Sequence, residues 1–303
     1  MLGENLVRRC VAGSLAALTI SCAAPGLHRA DRSSAVLTQI IAELQLHLRD
    51  DPYRYDRSRS PGGRNVFADL LWRLDRLRRE RGASGPPDNA SLVIEFARAR
   101  ALERLHRYAE ARDAYSTVAS AGSLLAAPAE AAAVVMDLFA RSSVDPADDA
   151  RSGPSRLAFL DERVRTWTQI AWRQRDSVWG PLALEESEAW SMRRVEAYSR
   201  ERGPEAAIEP ALRLVESHRA SKLYSSHLIR LGDLYARAAR HQALQLGAGP
   251  QGFDSARYEK LLDHAFVAYE LAADAPHPAA RSEAEGKIEA LLAYHSGVRN
   301  RAP

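Results

Sequence analysis

Apolar side chains in this chain recur every three or four residues, segment after segment, and almost nowhere alternate. Ile40, Ile41, Leu44 and Leu48 share one helical face until Asp51-Pro52 ends it, and Phe67, Leu70, Leu71, Leu74 and Leu77 do the same over 65–81. A period near 3.6 cannot be laid on a strand, whose faces repeat every two residues. Pro61-Gly62-Gly63 and the stretch from Gly82 to Pro87 punctuate the first segments. Further helices are predicted over 90–106, 108–120, 127–141, 155–175, 183–201, 204–218, 224–245, 254–273 and 279–295. The 17 glycines and 15 prolines fall mostly between these segments, and Ala, Leu, Arg and Glu fill them; that division favours helix throughout. The expected fold class is therefore all-α, built of antiparallel helix pairs joined by short turns. The 303 residues suffice for one large domain or two ordinary ones. The polar loop from Asp145 to Pro154 marks an internal boundary near 142–154, or else an ordinary turn in a continuous stack.

Residues 1–21 have the organisation of an export signal, with Arg8 and Arg9 preceding an uncharged apolar run from Val11 to Ile20. That run is too short to span a bilayer. It ends in Leu18-Thr19-Ile20-Ser21-Cys22, a small residue directly before a cysteine. The arrangement resembles the bacterial lipobox, with Thr19 standing where a large aliphatic is usual. The resemblance implies that Cys22 is acylated through sulfur, becomes the first mature residue, and anchors the chain by several acyl chains, whereas one chain holds only marginally. The competing readings are cleavage by the ordinary signal peptidase after Ala24, which discards Cys22, or an uncleaved anchor. Ala23 follows the cysteine where, in enterobacterial lipoproteins, an aspartate holds the protein at the inner membrane, so the resemblance implies the outer membrane, facing the periplasm. Residues 22–33, with Pro25 and Gly26, are expected to form a flexible tether, and 34–303 the helical domain.

Without the leader the chain has 40 basic and 38 acidic residues, a balance that argues against a nucleic-acid partner. Cys10 lies inside the leader, so a mature chain starting at Cys22 has no second thiol for a disulfide or thiolate site.

A second regularity joins the helices into repeats. Leu228, Leu231-Gly232 and Tyr235 lie on one helix, and Ala265, Tyr269 and Ala272, followed by Pro276, on a later one. Tyr198 precedes Ala207, Ala211 and Leu214, and the stretch from Arg107 through Ala111 to Tyr115 repeats the small-and-aromatic pattern. Small residues let helix backbones approach at a crossing, and aromatics fill the gaps beside them. These patterns resemble the tetratricopeptide repeat, in which a first helix carries Leu-Gly and Tyr and a second carries small residues. The resemblance covers about two fifths of the chain, is poor from 125 to 180, and requires an insertion of 21 residues between Tyr235 and Ala265. It implies a TPR-like α-solenoid whose stacked pairs bury a continuous core. A plain helical bundle is the alternative.

Chemistry is sparse. Gly247-Ala248-Gly249-Pro250-Gln251-Gly252 has dinucleotide-fingerprint spacing but follows a helix rather than a strand. No His-Glu-x-x-His pair or Gly-x-Ser-x-Gly elbow occurs, and His218, His227, His241 and His264 fall on separate helices without ligand spacing. Glu185, Glu186 and Glu188 near Trp190 suggest paired carboxylates acting on a glycan, but are better explained as water-exposed acids complementing a helix start after Gly180-Pro181. The arginines Arg73, Arg76, Arg78, Arg79 and Arg81 form a solvated face interleaved with Asp69, Asp75 and Glu80, or a contact for lipid headgroups. No enzyme activity, catalytic residue, metal or cofactor is expected. Trp167, Trp172, Trp179 and Trp190 lie within 24 residues; they fill gaps between helices or form a surface for a partner. The expected function is a lipid-anchored periplasmic scaffold that binds a protein partner through its helical array. The alternative is a peptidoglycan-binding or -processing protein that uses the tryptophans.

Overall fold

The computed structural model of the protein describes residues 28–60, 62–81, 88–144, 154–244 and 253–300. The leader, Cys22 and the 247–252 glycine stretch lie outside the described residues. Within them the secondary structure is eleven α-helices without a strand: α1 (His28–Leu48), α2 (Val66–Arg81), α3 (Asn89–Arg104), α4 (Tyr108–Ser120), α5 (Ala126–Ser142), α6 (Pro154–Gln174), α7 (Gly180–Arg202), α8 (Pro204–Ser217), α9 (Tyr224–Ala243), α10 (Ser255–Ala273) and α11 (Pro278–Arg299). The all-α reading holds, and each helix predicted from residue 65 onward is present within a few residues. The first helix begins earlier than expected, six residues inside the stretch read as tether. Residues 28–33 lack large apolar side chains, but they also lack Pro and Gly, and their Ala and Arg residues favour helix.

The chain divides into two compact units, residues 1–146 with 175–182, and 147–174 with 183–303. In the first, successive helices α1 to α5 pack on their neighbours, and α1 also meets α3. Contact with the next helix but one is what stacking of helix pairs requires. Ile40, Leu70, Leu74, Ile94, Met136 and Phe139 are fully buried, and edge-on aromatic pairs Phe96–Tyr115 and Tyr108–Phe139 tie α3 to α4 and α4 to α5. Glu103, 1 % exposed, is the polar centre of this core. It pairs with Arg100 at 2.8 Å and accepts from the Tyr115 hydroxyl at 2.8 Å and the Trp179 indole N–H at 3.2 Å. The arginines of α2 are laced to carboxylates: Arg73 to Glu43, Arg76 to Glu80, Arg78 to Glu95 and Arg81 to Asp88, while Asp75 receives Arg98.

In the second unit α8 to α11 form a continuous core in which α9 packs on α8, α10 and α11. Gly203, at φ +87°, is the only residue between α7 and α8, and Pro204 opens α8 with its preset φ. Gly232 of α9 sits against the ring of Tyr269 of α10, so closely that a Cβ would lie 2.5 Å from Cε1. Around it Ala236, Ala239, Ala265, Ala268 and Ala272 are buried. The two halves of the repeat pattern, Leu231-Gly232-Tyr235 and Ala265-Tyr269-Ala272, thus face each other across one helix pair. Ala111, Tyr115, Ala207 and Ala211 are also fully buried, and Tyr198 is partly so.

Candidate functional site

Three helices of the second unit turn polar stripes toward one another. Along α9, Ser226, Ile229, Arg230, Asp233, Arg237 and Arg240 recur at helical spacing on one face. Across from them lie Glu196, Ser199 and Arg200 of α7, and Glu283, Lys287 and Leu291 of α11. Together they enclose a groove of about 840 Å³ that α10 enters only through Tyr269. Alternate helices, α7, α9 and α11, therefore line the groove, while the apolar sides of α8 and α10 complete the core behind it.

Asp233 organises the groove floor. Its Oδ1 accepts from the Tyr269 hydroxyl at 2.7 Å and from Lys287 Nζ at 2.7 Å, and its Oδ2 lies 2.9 Å from the same ammonium. Burial, and then the bond to Asp233, hold the Tyr269 phenol far above its ordinary range, so it stays a donor. Arg230 is neutralised by Glu196 at 2.6 Å.

The remaining cations have no acid of their own. Arg237 donates to the Ser199 hydroxyl at 3.1 Å and to the Asp233 backbone carbonyl, and Arg240 lies 5.3 Å over the Tyr294 ring. Among the described residues Arg200, Arg237 and Arg240 form no ion pair, and all three are exposed. Five cations against three carboxylates line the groove. Paired charges fix its floor, and the unpaired guanidiniums form a rim able to fork onto carboxylates.

The tryptophans read together from sequence do not share a surface. Trp167 and Trp190 are buried at 0 % and 2 %, Trp179 donates to Glu103, and only Trp172, 65 % exposed, meets solvent. Trp190 packs edge-on to Phe159 with the Arg193 guanidinium over its ring. Helical spacing carried the signal: Leu160, Val164, Trp167 and Ala171 form one buried stripe of α6, and Trp172 falls beside it.

The acids of α7 also differ from expectation. Glu188 is 3 % exposed and bonded to His227 Nε2 at 2.6 Å, and Glu185 pairs with Lys222 at 3.0 Å. They are structural partners of α9 and the α8–α9 turn rather than water-exposed acids. His218 lies near both Glu188 and His227, with burial pushing its imidazole down to about 4. Sequence spacing cannot show this meeting, since 30 residues or more separate Glu188 from the histidines. Among the described residues no group of histidines and acids is placed to hold a metal ion, and no helix is long and apolar enough to cross a membrane.

Comparison with protein-family models, curated proteins and solved structures finds no match. The groove's own side chains carry the functional argument. Its acids are bonded to cations or exposed on the rim. Its free chemistry is the recognition of negative charge.

Proposed function

We propose that the protein is a lipid-anchored, non-catalytic scaffold of the bacterial cell envelope, a degenerate tetratricopeptide-like array that holds an acidic segment of a protein partner in the α7–α9–α11 groove. The observation that carries this reading is the row of Arg200, Arg237 and Arg240, three exposed guanidiniums without carboxylates on a floor already fixed by Asp233, Tyr269 and Lys287. A preorganised floor lowers the ordering cost of binding, and an unpaired arginine rim steers and selects acidic ligands. The Leu231-Gly232-Tyr235 and Ala265-Tyr269-Ala272 packing supports the repeat relationship, because close approach at Gly232 is what a Leu-Gly first helix provides.

The partner is tested by photo-crosslinking from position 200 in cells, followed by mass spectrometry, with and without Arg237→Glu and Arg240→Glu. The expected result is one predominant protein adduct, lost in the charge-reversed variant and weakened by salt. An adduct that survives both reversals would remove the groove from the binding reaction. The anchor is tested separately: Cys22→Ala is expected to leave a larger, unprocessed species without lipid label. Normal processing of that variant, or release of wild-type protein into the soluble periplasm, would defeat the anchor without touching the groove.

A further inference from the structure

A second cleft, distinct from the groove, opens in the same unit between α6, α7 and α8, with a volume of about 280 Å³. Three arginines line it, Arg165 from α6, Arg194 from α7 and Arg213 from α8, with Asp161, Tyr198 and Glu209 among them. Arg194 sets it apart. The residue is only 8 % exposed, and among the described residues its Nε has no acceptor and its side chain makes no hydrogen bond. The carboxylate in reach, Asp161, lies 3.7 Å from Nη1, and its other oxygen is spent on the Tyr198 hydroxyl at 2.9 Å. A buried charge is costly without hydrogen-bonded partners, and a guanidinium brings five donors that need acceptors.

The cost is visible in the side chain's own equilibrium. Burial lowers the Arg194 pKa from its ordinary value, Asp161 opposes the shift, and Arg213 adds to it. The other two arginines are differently placed. Arg165 and Arg213 pair with Glu162 and Glu209 on open surface, where both members of each pair are more than half exposed. Such pairs hold little energy and exchange readily for a better acceptor. A dianion seated in the cleft would give Arg194 the acceptors it lacks and relieve its repulsion from Arg213. Phosphate oxygens suit this better than a single carboxylate, since three guanidiniums approach from three helices and a tetrahedral group offers oxygens in more than one plane.

We propose that the α6–α7–α8 cleft, with Arg194 at its base and Arg165 and Arg213 at its mouth, binds the phosphoryl group of a small phosphate or phosphomonoester. The cleft volume limits the organic part to a few carbons, walled by Tyr198 and Pro210. Pro210 has no N–H, so the carbonyl of Ala206, a residue of the cleft wall, lacks its usual helical donor four residues on. That acceptor favours a ligand bearing a hydroxyl beside its phosphate.

Isothermal titration of the full chain in detergent, at matched ionic strength, with inorganic phosphate, glycerol 3-phosphate, glycerol and acetate tests the proposal. Saturable binding of phosphate, tighter binding of glycerol 3-phosphate, and none of glycerol or acetate are expected. Binding of phosphate alone still supports the oxyanion site and removes the role given to Ala206. Arg194→Met, which keeps an apolar stem in the buried position, is expected to weaken binding at least about tenfold, as loss of a charge-assisted contact does. Asp161→Asn, which removes the competing carboxylate and keeps an acceptor for Tyr198, is expected to tighten it. The second variant keeps the test intact if the first fails to fold. Absence of saturable phosphate binding, equal binding of acetate, or indifference to both substitutions overturns the proposal.

Discussion

Glycine inside a helix normally destabilises it, and replacement by alanine gains about 1 kcal/mol. At Gly232 the structure reverses the sign. An alanine Cβ there would lie 2.5, 2.7 and 2.9 Å from Cε1, Cδ1 and Cζ of Tyr269, whose ring is 2 % exposed and whose hydroxyl is bonded to Asp233. Moving the ring away from Gly232 would strain or break that bond. Overpacking costs about 1–3 kcal/mol, and a weakened charge-assisted hydrogen bond adds about 1.5 kcal/mol or more. After the propensity gain, Gly232→Ala is expected to lower the unfolding free energy by about 2 kcal/mol. Urea unfolding followed by far-UV circular dichroism measures this. Gly286 of α11, with nothing within 4 Å of its added Cβ, is the internal control, and Gly286→Ala is expected to stabilise by about 1 kcal/mol. In a Tyr269→Leu background the clash disappears, and Gly232→Ala should become neutral or stabilising. If alanine at 232 is tolerated in the wild-type background as it is at 286, the helix crossing is not as close as described and the reasoning fails.

Other outcomes follow from the buried polar groups and the surface. His218, held at about 4 against an ordinary 6.5, stays neutral in the folded protein while the unfolded chain takes up a proton; its contribution is complete above pH 6.5 and is lost as pH falls toward 4. The loss amounts to about 3 kcal/mol, and His218→Gln should flatten the urea-unfolding profile across that window. Glu103→Gln leaves Arg100 buried without its counter-charge and should cost about 3–5 kcal/mol, measured by the same unfolding assay; a change below 1 kcal/mol would show that Glu103 is not the hub of its core. Purified sacculi, stripped of protein, should not retain the wild-type chain, because of the four clustered indoles only Trp172 is exposed; retention abolished by Trp172→Ala would overturn that expectation.

The helices were legible because their signal is local. Tyr108–Ser120 appears with the predicted bounds, since its apolar spacing and flanking residues lie within one short window. Gly232 and Tyr269 were legible as a pattern, but their contact needs 36 residues of intervening chain to double back. The start of α1 is not legible from apolar spacing, because residues 28–33 carry no large apolar side chain. The tryptophans were grouped by proximity in sequence, although the stripe Leu160–Val164–Trp167 already assigned one of them to the core. The groove and the Arg194 cleft were not legible at all. Arginines and acids are interspersed along the helices that line both, and which of them remain unpaired depends on side chains contributed by three helices at once.

The single carboxylate of Asp233 bonds side chains from two other helices, Tyr269 of α10 and Lys287 of α11. Geometry and charge at the bottom of the groove are thereby set by the same two oxygen atoms. A lineage that altered ligand preference by changing Asp233 would loosen a three-helix joint in the same step. Under the proposed function, divergence in binding preference is consequently expected at Arg200, Arg237 and Arg240, where side chains can change sign without disturbing the joint beneath them.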